Sequence, residues 1–133
     1  MLDLTSFDKA LKSLERAIVR AQDSLEDEEL RDAAIQRFEY CFELSWKMLK
    51  RQLEEEVPTP AQVDAMSFKE LMREGFERGY IGDPEAWFLF RTHRNIVAHT
   101  YDEGKARVVF GSAVKLLPVA RSLYRALKER NGS

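Results

Sequence analysis

The sequence predicts an all-α fold, an antiparallel up-and-down bundle of four to five helices. Apolar residues recur at intervals of three and four over long stretches, which is the period of an amphipathic helix. Only 4 Pro and 6 Gly interrupt the 133 residues, and 44% of them are hydrophobic, which is enough for a core. A chain of this length typically forms one domain, so we expect residues 1–133 to be a single domain.

The first two predicted helices follow from this period. The first has its apolar stripe from Leu4 to Ala21. A second, long helix is expected from Leu30 to about Glu56, because neither Gly nor Pro occurs there and the apolar period continues. The acidic run Glu26–Glu29 lies near its start, where negative charge interacts favourably with the helix dipole.

Three local signals place the remaining helices. The segment Val57–Pro60 ends the second helix, because proline lacks the N–H and disfavours helix in the preceding residue. Ser67 and Glu70 have the spacing of a capping box, which predicts a short helix to about Arg78. Asp83 before Pro84 reads as an N-cap followed by proline in the first turn, which begins a further helix.

A last helix is predicted over Glu103–Arg130, with Pro118 as a point of weakness or kinking. Seven basic residues lie within 104–133, with Glu129 as the only acidic one. Such a helix fits against phosphates or an acidic partner. A solvated helix face explains the charges equally well, since basic residues are favoured near helix C-termini.

Composition restricts the functional classes. The formal net charge of −2 does not by itself indicate nucleic acid binding, although residues 1–56 carry 9 basic and 14 acidic side chains and residues 57–133 carry 12 and 9. Cys41 is the single cysteine, which excludes an internal disulfide and fits a reducing compartment. The N-terminus has no signal-peptide pattern, and no apolar run reaches the ~20 residues of a membrane span. We therefore expect a cytoplasmic protein with no membrane partner.

Few residues are candidates for catalysis. The two histidines, His93 and His99, are six residues apart and would lie on different faces of a helix. Zinc sites usually need three or four Cys, His or carboxylate ligands, so we expect no metal site. No glycine-rich phosphate loop occurs either, and the sequence indicates no cofactor.

The segment Arg94–Tyr101 concentrates the polar groups, at the predicted end of the helix that begins near Pro84. Asn95 and His99 are four residues apart, so we expect them to share a helical face. The long side chain of Arg94 reaches the same space, and Arg91, one turn earlier, adds a second cation. A structural role, in which His99 caps the C-terminus of its helix, remains the alternative.

These residue types suit RNA cleavage without a metal. A base takes the proton of the 2′-OH, an acid protonates the departing 5′ oxygen, and a cation stabilises the charge on the phosphate. Histidine can perform either proton transfer, and arginine presents a fork of donors that matches phosphate oxygens. Each chain supplies one His99, so a two-fold dimer would supply the two groups that the reaction needs.

Two motifs give the chain a family resemblance. Arg94, His99 and Tyr101 form the pattern Arg-x4-His-x-Tyr, which resembles the signature of HEPN domains. The stretch from Arg37 to Lys47 is similar to the second-helix motif of the nucleotidyltransferase substrate-binding proteins. That family, often called HepT, is the toxin half of HEPN–MNT toxin–antitoxin pairs. The resemblance covers nearly the whole chain.

The resemblance implies a homodimer of HEPN-like bundles, with Arg and His facing each other across a cleft, that cleaves RNA without metal. It implies a small MNT-type nucleotidyltransferase as the antitoxin, which in some members attaches AMP to the motif tyrosine. By position, His99 would be the proton-transfer residue, Arg94 the phosphate binder, Asn95 a polar orienter and Tyr101 the AMP acceptor. An adduct on Tyr101 would place negative charge where the RNA phosphate must bind.

Further candidates and alternatives remain open. Arg91, His93 and Lys105 are candidate contacts to RNA or phosphate. Within the second-helix motif, aromatic side chains are expected in the core, while Glu39 and Glu43, with Lys47, are expected either at the cleft or at a partner surface. Two other functions stay in competition with the toxin: a non-catalytic substrate- or nucleotide-binding subunit of a two-component nucleotidyltransferase, and a plain helical adaptor.

Overall fold

The computed structural model describes residues 1–132, which contain six α-helices, one 3-10 turn and no β-strand. The prediction of an all-helical bundle is thus confirmed. No helix in this part of the chain is long and apolar enough to cross a membrane. In chain order the helices are α1 (Thr5–Asp23), α2 (Glu28–Glu56), α3 (Pro60–Asp64), α4 (Phe68–Glu77), α5 (Pro84–Arg94) and α6 (Glu103–Arg130).

The centre of the bundle is formed by α1, α2 and α6, each of which packs against the other two. Their apolar stripes meet in a core where Leu14, Phe38 and Leu116 are fully buried. Burying a side chain of this size contributes about 1.5–3 kcal/mol, so the stripes seen in the sequence account for the packing of the three long helices. Helices α4 and α5 pack on each other and on α2, and α5 also contacts α6.

The predicted helix starts are confirmed by their capping contacts. The Ser67 side chain accepts a hydrogen bond from the Glu70 N–H, and the Glu70 side chain accepts one from the Ser67 N–H, which completes the capping box. The Asp83 side chain accepts from the Glu85 N–H, with Pro84 in the first turn. One helix was not predicted: α3 is only 5 residues long, too short to show a period.

Gly75 of α4 packs against Leu49 of α2. A Cβ added at Gly75 would lie 2.8 Å from Cδ2 of Leu49, a fully buried side chain of α2. Real Cβ atoms do not come that close to a neighbouring carbon, so any larger residue would require Leu49 or α4 to shift. The glycine therefore allows α4 to lie directly against the Leu49 side chain of α2.

A polar network joins the C-terminal ends of α2, α4 and α6. Glu56 accepts a hydrogen bond from the hydroxyl of Tyr80, whose ring is buried, and forms an ion pair with Arg78 at 3.3 Å. Arg130 donates to the Tyr80 hydroxyl at 3.1 Å and stacks over its ring, 4.6 Å from the centroid. Because every charged member has an opposite charge or a hydrogen-bond partner, the network closes this end of the bundle without leaving a charge unpaired.

Candidate functional site

Helix α5 ends at Arg94, so the segment Arg94–Tyr101 is not one continuous helix. Asn95 is the C-cap of α5, and a 3-10 turn covers Val97–His99. The expectation that Asn95 and His99 share a helical face is therefore wrong. Downstream, the Asp102 side chain accepts a hydrogen bond from the Lys105 N–H and caps α6, so the chain turns between the two helices over residues 95–102.

Arg94 is held between two carboxylates of α2. Its Nε donates to Oε1 of Glu43 at 3.0 Å, and its Nη2 lies 3.2 Å from Oε2 of Glu39. The two acids are four residues apart on α2 and so share one face of that helix. All three side chains are about one-third exposed, so the triad is open to solvent and to ligands. The guanidinium is thus positioned, and part of its donor set is already in use.

His99 and Tyr101 are exposed side chains on the connection between α5 and α6. Their ring centroids are 6.1 Å apart, with an angle of 73° between the planes, and Tyr101 is 86% exposed. The His99 N–H donates to the Ile96 carbonyl at 2.9 Å, which fixes the backbone of the turn while the imidazole remains exposed. An imidazole and a phenol are therefore presented together to solvent, a short distance along the chain from Arg94.

His93 lies in a different environment. It is partly buried on α5, and its Nδ1 is buried with no hydrogen-bond partner among residues 1–132. Burial lowers the pKa of this imidazole, and the nearby charge of Lys115 lowers it further. Protonation of His93 is therefore opposed both by the exclusion of solvent and by the charge of Lys115. Such a group is poorly suited to bind a phosphate as a cation.

A cavity of about 390 Å³ lies beside Arg94, between α2, α4 and α5. Arg91, Arg94 and Asn95 line it from α5, with Trp46 and Lys50 from α2. Phe68 at the start of α4 and Glu43 of α2 also line it. We call this space the Trp46 cavity.

The structure thus brings three of the predicted site residues, Arg91, Arg94 and Asn95, to one cavity. The other four predicted residues, His93, His99, Tyr101 and Lys105, are not among its lining residues.

The basic residues of α6 are in part compensated within the chain. Arg107 pairs with Glu103 at 3.2 Å, and Arg121 pairs with Glu15 at 2.7 Å. Lys105 is exposed in the first turn of α6. Among residues 1–132, no group of three or more His, Cys, Asp or Glu side chains is arranged to hold a metal ion.

Sequence reasoning did not predict two features of this region. The pairing of Arg94 with Glu39 and Glu43 joins α5 to α2, although the i,i+4 spacing of the acids in the second-helix motif was a usable signal. The Trp46 cavity was also missed, because the helical period assigns Trp46 to the core, whereas its side chain is only partly buried.

Comparison with known proteins agrees with the motif resemblance. Residues 2–129 match the family model described as nucleotidyltransferase substrate binding protein like. The chain is 37% identical to a Haemophilus influenzae protein named "Probable ribonuclease HepT", over 98% of this chain and 94% of that one.

Two solved structures share the fold. One, from Haemophilus influenzae, is described as revealing the fold of a substrate binding domain of a nucleotidyltransferase. It superposes with a TM-score of 0.89 at 36% identity and covers 95% of this chain and 99% of its own. The other, a Thermus thermophilus protein, has a TM-score of 0.74 at 31% identity, covering 91% and 98%. With its two motifs, its helical bundle and a family match over nearly its whole length, the chain belongs to the nucleotidyltransferase substrate binding protein-like family, which includes proteins of the HepT type.

Proposed function

We propose that this protein is a metal-independent endoribonuclease, the toxin of a HEPN–MNT toxin–antitoxin pair, acting in the cytoplasm as a homodimer of single HEPN-like domains. The observation that carries the proposal is the exposed pair of His99 and Tyr101 on the turn that directly follows Arg94. A proton-transfer group, an acceptor for a modifying group and a phosphate-binding cation are thus present in one short segment.

In the proposed reaction, one His99 takes the proton from a ribose 2′-OH, and the resulting oxygen attacks the adjacent phosphorus. The P–O5′ bond breaks as a second His99, from the other protomer, protonates the departing oxygen. Arg94 stabilises the extra negative charge on the phosphate, and Asn95 helps to orient it. The products are a 2′,3′-cyclic phosphate and a free 5′-OH. One imidazole per chain is the reason that the dimer is part of the proposal.

The proposed antitoxin is a small MNT-type nucleotidyltransferase that modifies Tyr101. The tyrosine oxygen attacks the α-phosphorus of ATP, the bond to the β-phosphate breaks, pyrophosphate leaves, and the phenolic proton is lost. At 86% exposure the hydroxyl is accessible to such an enzyme. The attached phosphodiester carries a negative charge close to His99, where it repels the RNA backbone. The family description and the name of the Haemophilus influenzae relative support both halves of this pairing.

A second candidate is a non-catalytic subunit that binds a nucleotide or substrate for a separate nucleotidyltransferase. The pairing of Arg94 with Glu39 and Glu43 favours it, because an arginine already in two ion pairs has fewer N–H donors left for the phosphate of a transition state and attracts it less strongly. The Trp46 cavity could then hold the ligand that is presented to the partner. Cleavage activity separates the two functions.

The first test is incubation of the purified protein with a tRNA pool in EDTA, beside Arg94→Ala, His99→Ala and a control, Arg20→Ala, on the exposed surface of α1. We expect discrete cleavage, with 2′,3′-cyclic phosphate ends, by the wild type and the control. His99→Ala should lose at least about 100-fold in rate, the usual contribution of general acid–base catalysis. Arg94→Ala should lose about 100-fold or more, the usual contribution of one group that stabilises charge in the transition state. Persistent cleavage by His99→Ala at equal thermal stability would contradict the site assignment.

Modification is tested separately with a small MNT-type nucleotidyltransferase from the same organism and ATP. Mass spectrometry should show an added AMP on the wild type but not on Tyr101→Phe, and the modified protein should no longer cleave RNA. A protein that lacks cleavage while unmodified at Tyr101 would instead support the binding subunit.

A further inference from the structure

Two cavities adjoin on the surface beside Arg94. The second, of about 570 Å³, lies between α4 and α5, and it shares Phe68, Arg91 and Asn95 with the Trp46 cavity. The two spaces are therefore halves of one groove, with the shared side chains between them. Each half has the volume of a small-ligand site, which is typically about 300–1,000 Å³. Because Arg94 also lines the first half, the groove leads to the proposed site of cleavage.

Four aromatic rings line this groove, and three of them have a cation over them. The Lys47 ammonium lies 5.7 Å from the Trp46 ring, and the Arg91 guanidinium lies 5.0 Å from the Phe68 ring. The Phe88 ring, in the second half, has Lys69 at 5.4 Å and Arg73 at 5.6 Å. Alternation of flat apolar faces with positive charge is the arrangement by which proteins bind single-stranded nucleic acid: the bases stack, and the cations follow the backbone.

The Trp46 cavity has a geometry that suits a base. The Trp46 and Phe68 rings meet edge to face, with centroids 6.4 Å apart and planes at 83°, so they form a right-angled corner. Arg91 stands at this corner and has no ion-pair partner among the described residues, unlike Arg94 and Lys50, which are paired with acids. Although it lies over the Phe68 ring, the Arg91 guanidinium can contact a phosphate without first breaking an ion pair.

We propose that this groove binds the unpaired bases of single-stranded RNA next to the cleaved phosphate, with one base in the corner of Trp46 and Phe68 and its phosphate on Arg91. The inference rests on the proposed function, since it assigns the substrate as single-stranded. It makes Trp46 and Arg91 substrate-binding residues distinct from the proton-transfer machinery. An acidic peptide is the rival ligand for the same cations, but it offers no flat ring for the aromatic corner.

The test uses a fluorescein-labelled 2′-O-methyl RNA oligonucleotide, which cannot be cleaved because its attacking oxygen is blocked. Binding is measured by anisotropy at several salt concentrations, for the wild type and for Trp46→Leu and Arg91→Gln. The matched controls are Tyr40→Leu, an exposed aromatic on α2 outside both cavities, and Arg20→Gln on α1. Circular dichroism and thermal unfolding check that each variant is folded.

We expect Trp46→Leu to bind about tenfold more weakly or worse, which is the effect of losing one stacked base. Its salt dependence should not change, because no phosphate contact is lost. Arg91→Gln should also weaken binding, and the slope of log K against log salt should become shallower by about 0.7, the contribution of one phosphate contact on a single strand. Because Arg91 is exposed, we expect Arg91→Gln to fold. The salt dependence of its RNA binding therefore tests the proposal even if Trp46→Leu does not fold.

Three results would overturn the inference. The first is equal affinity of the groove variants and their controls for the oligonucleotide, and the second is competition by a duplex of the same sequence as strong as that by the single strand. The third is displacement of the oligonucleotide by poly-glutamate, with Trp46→Leu weakening the binding of poly-glutamate as much as that of RNA. The binding assay is independent of catalysis. Normal affinity of the groove variants together with RNA cleavage would refute the groove alone, whereas groove-dependent binding without any cleavage would refute the ribonuclease and retain the groove.

Discussion

Removing the two carboxylates that hold Arg94 should strengthen RNA binding. In the structure, Glu43 and Glu39 contact the guanidinium at 3.0 and 3.2 Å, on the side chain that the proposed mechanism assigns to the phosphate. A phosphate bound to the same guanidinium would lie roughly 6 Å from each carboxylate, since two contacts of ~3 Å separate them. Like charges at this distance repel, so the double variant Glu39→Gln/Glu43→Gln relieves that repulsion.

The magnitude follows from Coulomb's law. At ~6 Å and a dielectric constant of ~80, suited to these solvent-accessible groups, each pair of charges costs about 0.7 kcal/mol. Two pairs therefore cost about 1.4 kcal/mol, which corresponds to about tenfold in affinity. Screening over a Debye length of ~8 Å reduces this to about threefold at 0.15 M salt. Glutamine retains an oxygen that can accept the 3.2 Å hydrogen bond from Nε1 of Trp46, so the local packing is kept.

The assay is the anisotropy titration with uncleavable RNA at low and at physiological salt. The matched control is Glu54→Gln/Glu55→Gln, which changes the net charge equally on the same helix but removes no partner of Arg94. Tighter binding by the site variant, and a smaller gain at higher salt, is the expected result. Equal gains in both double variants would show a net-charge effect. Weaker binding by the site variant would show that the carboxylates position Arg94 and do not compete with RNA, which refutes the reasoning.

Three further predictions concern the body of the fold. Burial raises the pKa of the Cys41 thiol to about 12, so a maleimide at pH 8 should label the unfolded chain and leave the native protein unlabelled. The pKa of His93 is lowered by burial and by Lys115, so stability that is present above pH ~6.5 should be lost as the pH falls below that value; melting temperatures of His93→Gln should change less over pH 7 to 5, and an equal change would contradict this account. Leu14→Ala, at a fully buried site, should lose about 2–5 kcal/mol in urea unfolding, while Val19→Ala, at an exposed site on the same helix, should lose less than about 1 kcal/mol.

The sequence predicts the long helices well and the connection at the site poorly, for physical reasons. Over α2 or α6, many residues repeat one period, and the caps at Ser67 and Asp83 depend only on neighbours within the same turn. The end of α5 depends instead on the position of α6, which a local pattern does not contain. Both Glu43 and Arg94 are recognisable as polar residues, but their contact spans 51 positions and depends on how α5 packs on α2.

The same limit applies to the groove. The period of α2 marks Trp46 as apolar, yet whether such a ring is covered depends on the neighbouring helix. Here α4 covers one edge of the ring with Phe68 and leaves the rest partly exposed. Chemical type was therefore predictable at the site, and accessibility was not.

Because glycine has no side chain, position 75 offers a way to change the width of the groove by substitution. Position 75 lines neither half of the groove, yet a side chain there would meet Leu49 in the contact between α4, which carries Phe68, and α2, which carries Trp46. If Leu49 keeps its place, a methyl group at residue 75 moves α4 outward and widens the corner of the proposed base-binding groove, while every side chain that lines the groove stays the same. Residue 75 is therefore a position from which the width of that groove can be altered without touching its lining.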